Sequence, residues 1–203
     1  MWHPSRVSAG KLALAIGAIA LAAVVAVGVK QASEDAPPPP KARTLTPADI
    51  ERRLAGAPPE LAALHRQANE ILPGARKALE RRLEELEGHA AVVNIWAAWC
   101  GPCREELPVF QRVSLDMGKE VAFLGVDLRD NRESAARLLR RFPLAYPSYE
   151  DPDGKVFNAE GLQGVPSTLF YDDRGRQTFV HQGPYYERQD LIDDIRRYAL
   201  GAS

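Results

Sequence analysis

Hydrophobic and polar positions alternate along this chain in distinct regimes. Residues 12–29 are apolar without a break and carry no charge. Residues 45–90 place apolar side chains every third or fourth position, the period of an amphipathic helix. Thr46 is a suitable N-cap with Pro47 in the first helical position. Ile50, Leu54, Leu61, Leu64, Ala68, Ile71 and Leu72 predict two short helices broken at Pro58-Pro59 and ended by Pro73-Gly74. A further helix is predicted over 75–87, with Ala75, Leu79, Leu83 and Leu86 on one stripe and Arg, Lys and Glu elsewhere.

Beyond residue 90 the pattern changes to short buried runs separated by helices. Residues 91–96 are a mostly apolar run with paired valines and an isoleucine, which suits a buried strand. A helix follows over 103–117 with Leu107, Phe110 and Val113 inward, and Pro108 inside it predicts a kink. Residues 121–126 read as a second buried strand ending in Asp127, and 131–142 as a helix stopped by Pro143. Residues 146–149 are extended, 151–154 a turn, 156–161 a short helix, and 164–171 a strand introduced by Pro166. Residues 172–175 turn that strand into a hairpin partner at 178–180. The last helix spans 186–200. Strands and helices alternating first in parallel and then through a hairpin place the chain in the α/β class.

The chemistry sits between the first strand and its helix, where Trp99-Cys100-Gly101-Pro102-Cys103 occurs. Cysteines three apart on a helix face each other across one turn. Cys100 lies where unpaired amides and the positive end of the helix dipole favour a thiolate, which makes it the nucleophile; Cys103, one turn deeper, is the resolving thiol. Pro102 is tolerated in the first turn and stiffens the loop between the sulfurs. Spacing and context point to redox chemistry. The competing readings are a structural disulfide and half of a zinc site, but these are the only two cysteines, and His3, His65, His89 and His181 are scattered with none at finger spacing. No metal and no cofactor is expected.

Composition adds limits. A chain of 203 residues with 45% hydrophobic content accommodates one globular domain plus attachments. Its net charge of −1, without a long basic run, argues against a nucleic-acid surface. With one possible internal bridge it is no disulfide scaffold.

Residues 12–29 as a helix reach roughly 27 Å, just enough for a hydrocarbon core. They are read as a retained signal-anchor with the amino terminus inside and the bulk outside; the alternative is an export signal cleaved after Ala26-Val27-Gly28. Pro37 to Pro40 form an extended spacer, with a proline-rich recognition ligand as the alternative. The expected organisation is 1–30 anchor, 31–44 linker, 45–74 helical extension and 75–203 catalytic domain. The extension either packs on the domain or docks a partner.

Trp-Cys-Gly-Pro-Cys after a hydrophobic strand resembles the active site of thioredoxin-fold thiol-disulfide oxidoreductases. The long stretch from Val126 to Gly164, the Gly164-Val165-Pro166-Ser167-Thr168 strand start and the Asp172-Asp173-Arg174-Gly175 turn are similar to the membrane-anchored TlpA/ResA-like branch. The resemblance covers roughly residues 75–200 and implies a thioredoxin fold, a mixed central sheet with helices on both faces, here preceded by a transmembrane helix and a helical extension. It implies that Trp99 packs beside the site, that Gly101 and Pro102 support the loop, and that Val165-Pro166 is a cis-proline loop that meets the substrate.

Departures from the pattern are informative. Cytosolic thioredoxins carry a buried aspartate where this chain has Asn94, and an amide cannot take a proton from Cys103. The TlpA/ResA-like branch has a glutamate three residues past the second cysteine, and Glu106 matches it; one reading is proton exchange with the cysteines or a raised thiol pKa, the other a surface glutamate in a Glu105-Glu106 pair. By resemblance the chain is a reductase of disulfides in exported proteins such as apocytochrome c, recharged by a membrane protein that exports reducing equivalents. A disulfide-forming dithiol oxidase and a redox-silent, membrane-tethered binding module are the alternatives. A peroxiredoxin-type peroxidase is disfavoured, because its cysteine sits in a Thr-x-x-Cys context and this chain has Ala97-Ala98-Trp99-Cys100.

Overall fold

The computed structural model describes residues 45–202. The apolar span 12–29 and the linker 31–44 lie outside the described residues, and among the described residues no helix is long and apolar enough to cross a membrane.

Two short helices open the described chain. In α1 (Pro47–Leu54), Thr46 Oγ1 accepts the Asp49 amide while the Asp49 carboxylate accepts the Thr46 amide, so two otherwise orphaned donors are satisfied. Ile50 and Leu54 pack against Leu115, and Arg53 pairs with Asp116 at 2.8 Å. In α2 (Pro59–His65), Leu61 and Leu64 are fully buried. This segment therefore packs on the domain.

The helical pattern drawn through Ile71 and Leu72 does not hold. Asn69 adopts φ 64, which ends helical winding, and Ile71–Leu72 forms the edge strand β1, parallel to β4 (Ser148–Asp151). Both residues are apolar because an edge strand buries one face and a helix stripe buries another, and two positions cannot separate these periods.

Among the described residues the sheet has six strands, in the order β1, β4, β3 (Ala122–Leu128), β2 (Ala91–Trp96), β5 (Ser167–Tyr171), β6 (Gln177–Gln182). Its centre is β2, with every residue buried, flanked by parallel β3 and antiparallel β5. β6 completes the hairpin. Asp127, expected just after its strand, lies inside β3 opposite Trp96 and is buried.

Helices α4 (Gly101–Met117), α5 (Arg132–Arg141) and α7 (Arg188–Asp194) cover one face, in a core with Trp96, Leu107, Phe110, Leu138 and Leu191. The other face carries α2, α3 (Ala75–Glu85) and α6 (Lys155–Ala159), built around Leu61, Leu79, Val93 and Val156. The thioredoxin-like α/β fold with a mixed sheet and helices on both faces is thus present. Helix α4 runs through Pro108, whose missing N–H leaves the Arg104 carbonyl without its helical donor. The last helix starts later than its periodicity suggests, because Tyr185 is buried and bonds Asp194 at 2.6 Å from the preceding loop; its final turn, Ile195–Ala199, widens to π geometry.

Candidate active site

The site forms where β2 delivers the chain to the start of α4. Cys100 is the N-cap: its backbone is extended, and its Sγ accepts the Cys103 amide at 3.1 Å. A sulfur in that position faces free amides and the helix dipole, which favour negative charge there. Cys100 and Cys103 are joined in a disulfide, with Cys103 fully buried and Cys100 nearly so. Trp99 beside them is 58% exposed.

The loop before β5 meets the pair from the other side. Val165-Pro166 is a cis peptide, and the Val165 carbonyl oxygen lies 3.6 Å from Cys100 Sγ. Gly164 is exposed, Val165 half-buried and Pro166 buried. Trp99, Cys100, Gly101, Pro102, Cys103, Val165 and Pro166, separated by up to 67 positions in the chain, thus come together at one end of the sheet.

Helix spacing puts Glu106 one turn below Cys103 on the same side. Glu105 is exposed, but Glu106 is completely buried, so the pair divides between surface and interior. Its Oε1 accepts from Asn94 Nδ2 at 2.7 Å and its Oε2 from the Tyr185 amide at 3.3 Å. Burial pushes the Glu106 carboxyl up to about 8, and those two bonds only partly offset it. A neutral or easily neutralised acid one turn below Cys103 can exchange a proton near pH 7. Asn94, the departure from the thioredoxin pattern, therefore acts as a donor that holds Glu106.

Residues that the sequence did not single out complete the surroundings. Asp130 accepts the Ala98 amide and holds the loop entering Trp99, and it also accepts the Asn131 amide at 2.7 Å. Asp127 beside it is pushed up to about 8, first by burial and then by the charges of Asp130 and Glu150. The available signal was a carboxylate at the end of an otherwise apolar strand. Tyr146 and Tyr185 also face Glu106, and nothing in their local sequence marks them.

The AhpC/TSA family model matches residues 69–180. Among curated relatives, the thiol:disulfide interchange protein DsbE of Allochromatium vinosum is 34% identical over 100 residues, 49% of this chain and 54% of that protein. The thiol-disulfide oxidoreductase ResA of Geobacillus kaustophilus is 30% identical over 123 residues, 60% of this chain and 68% of that protein. The chain spans about half the length of the first relatives it matches. Among solved structures, MTB DsbF in its mixed oxidised and reduced forms superposes with a TM-score of 0.52 at 29% identity, covering 56% of this chain and 84% of that one. The matched span contains the whole constellation from Cys100 to Pro166, and the chain belongs to the AhpC/TSA family, on its thioredoxin-like side with the DsbE and ResA proteins.

Proposed function

We propose that this protein is an extracytoplasmic thiol-disulfide oxidoreductase that reduces disulfides in exported, cysteine-containing proteins, of which apocytochrome c is an example. The observation that carries the reading is the Cys100–Cys103 disulfide at the start of α4, with Cys100 against Val165 and a buried Glu106 one turn below Cys103. The reduced Cys100 thiolate attacks a substrate disulfide, and the leaving substrate sulfur departs as a thiolate. Cys103 then attacks Cys100 Sγ, gives its proton to Glu106, and releases the second substrate thiolate. Trp99, Gly101 and Pro102 shape the approach, and Val165-Pro166 offers a backbone edge to the substrate chain. The relatives' names support this chemistry.

The same reading puts residues 12–29 in a membrane as a single-pass anchor, residues 31–44 as its spacer and residues 45–203 outside, where the helical extension is joined to the catalytic sheet by β1. A membrane protein that exports reducing equivalents recharges the pair.

Trapping tests it. Cys103→Ser in the full chain should accumulate mixed disulfides through Cys100, and Cys100→Ser should accumulate none. A folded Cys103→Ser protein that captures nothing leaves only a redox-silent binding module. Acid quenching and mass-tag alkylation in living cells then set the direction: mostly reduced thiols support the reductase, and a mostly oxidised pair supports a dithiol oxidase.

A further inference from the structure

Polar side chains, interrupted at Gly125, line one level of the sheet under α4, and the disulfide exchange itself does not require them. Strand register sets Ser148, Gly125, Asn94, Thr168 and His181 side by side on β4, β3, β2, β5 and β6. Cross-strand neighbours in register share a face. The row is closed at one end, where Trp96 Nε1 donates to Ser148 Oγ at 3.2 Å. The other end is half open: His181 stacks on Tyr185 with ring centroids 4.1 Å apart, and its Nδ1 lies 3.7 Å from Asp194 Oδ2.

Glu106 enters this row at Asn94. Around it, Asn94 Oδ1, Thr168 Oγ1 and the Tyr146 hydroxyl are buried with no hydrogen-bond partner among the described residues, and Asn94 and Thr168 have no exposure at all. Buried polar atoms of native proteins are almost always satisfied, by protein or by ordered water. Several such atoms gathered beside one carboxyl provide the two to four polar partners an interior water takes.

We propose that Thr168 and His181 form a proton path between Glu106 and solvent, through water held by the unpartnered oxygens of Asn94 and Thr168. It rests on the dithiol reading of Cys100 and Cys103. When Cys103 resolves a mixed disulfide, the Sγ–Sγ bond to Cys100 forms and the bond from Cys100 to the substrate sulfur breaks, its electron pair leaving with that sulfur. Glu106 passes its own proton past Thr168 to the neutral imidazole of His181 and on to bulk water, and the carboxylate so formed takes the proton of Cys103. In the reverse direction, a dithiol attacks the oxidised pair, Cys103 leaves with the electrons, takes a proton from Glu106, and His181 returns one. The groups facing Glu106 are Asn94 from β2, Tyr185 from the loop before α7 and Tyr146 from the segment before β4. Those facing His181 are Tyr185, Asp194 and Asp190. Burial lowers the His181 pKa and the two aspartates only partly oppose this, which keeps the imidazole neutral and able to accept. Thr168 and His181 are positioning residues, since they act through Glu106.

The test is stopped-flow reduction of the oxidised full chain by dithiothreitol, read by tryptophan fluorescence across pH and buffer concentration. In dilute buffer His181→Gln and Thr168→Val should each slow the reaction roughly a hundredfold, the lower end of the range for a lost proton-transfer step. Added imidazole should restore His181→Gln, and Thr168→Ser should restore the hydroxyl path. The reduction potential at neutral pH should stay that of the unaltered protein, because His181 touches neither sulfur. Unaltered rates in both variants, or a slowing that no buffer and no pH relieves, overturn the path while leaving the dithiol reading intact. A pair that dithiothreitol cannot reduce, together with a Cys103→Ser protein that traps nothing, overturns both.

Discussion

Asn94 Nδ2 donates to Glu106 Oε1 at 2.7 Å in a place where neither residue reaches solvent. One comes from the central strand and one from the active-site helix, so this bond ties the floor of the site to its roof. It also sets how costly the Glu106 charge is, because a donor aimed at a carboxylate favours its ionised form.

Replacing Asn94 with Leu, close in volume, removes that donor. The Glu106 carboxyl should then titrate at still higher pH than in the unaltered protein. Infrared titration of the protonated carboxyl band checks this, and a downward move would contradict the bond's assigned role.

Stability should fall as pH rises. Burial raises Glu106 from 4.5 to about 8, so between those values the folded protein keeps a proton that the unfolded chain has released. Its contribution is complete below 4.5 and lost as pH rises through about 8. Asp127, raised from 3.8 to about 8, acts in the same sense. Urea unfolding of the oxidised protein at both ends of this window should show a loss toward alkaline pH, smaller in Glu106→Gln and smaller again with Asp127→Asn added.

Gly125 is fixed by close approach. A Cβ there would stand 2.2 Å from Ser148 Oγ and 2.9 Å from Trp96 Nε1, inside the bond those two groups make. Gly125→Ala should cost about 1–3 kcal/mol, the range for overpacking a filled interior. Thermal or urea unfolding measures it, and a neutral result would mean that β4 can move aside freely.

Trp99 separates stability from recognition. With 58% of its surface exposed, Trp99→Ala should change folding stability by no more than about 0.5 kcal/mol. In the Cys103→Ser background it should reduce the yield of mixed disulfides with protein substrates several-fold. An unchanged yield would remove Trp99 from the substrate surface.

Much of this was legible in one dimension. Continuous apolar runs gave β2 and β3, the Thr46-Pro47 start gave α1, and the cysteine pair at a strand-to-helix junction gave the site. Ile71 and Leu72 fit either period, being only two apolar residues, and β4 makes the choice by offering them a parallel partner. Glu106 is marked in the sequence by its place three residues past Cys103, but whether it lies at the surface beside Glu105 or in the interior is decided by the packing of α4 on β2, which buries it against Asn94.

The sequence by itself determined the fold class and the pairing of Cys100 with Cys103, because hydrophobic period and cysteine spacing are local properties carried within a few residues. Only the tertiary structure decided that Glu106 is buried and its pKa pushed up, that Asn94 holds it, and that Thr168 and His181 stand in register with Asn94. Those facts depend on strand order and register, which bring residues from separate strands side by side. No local pattern encodes such a meeting, because its energy arises from desolvation and from partners supplied by other segments.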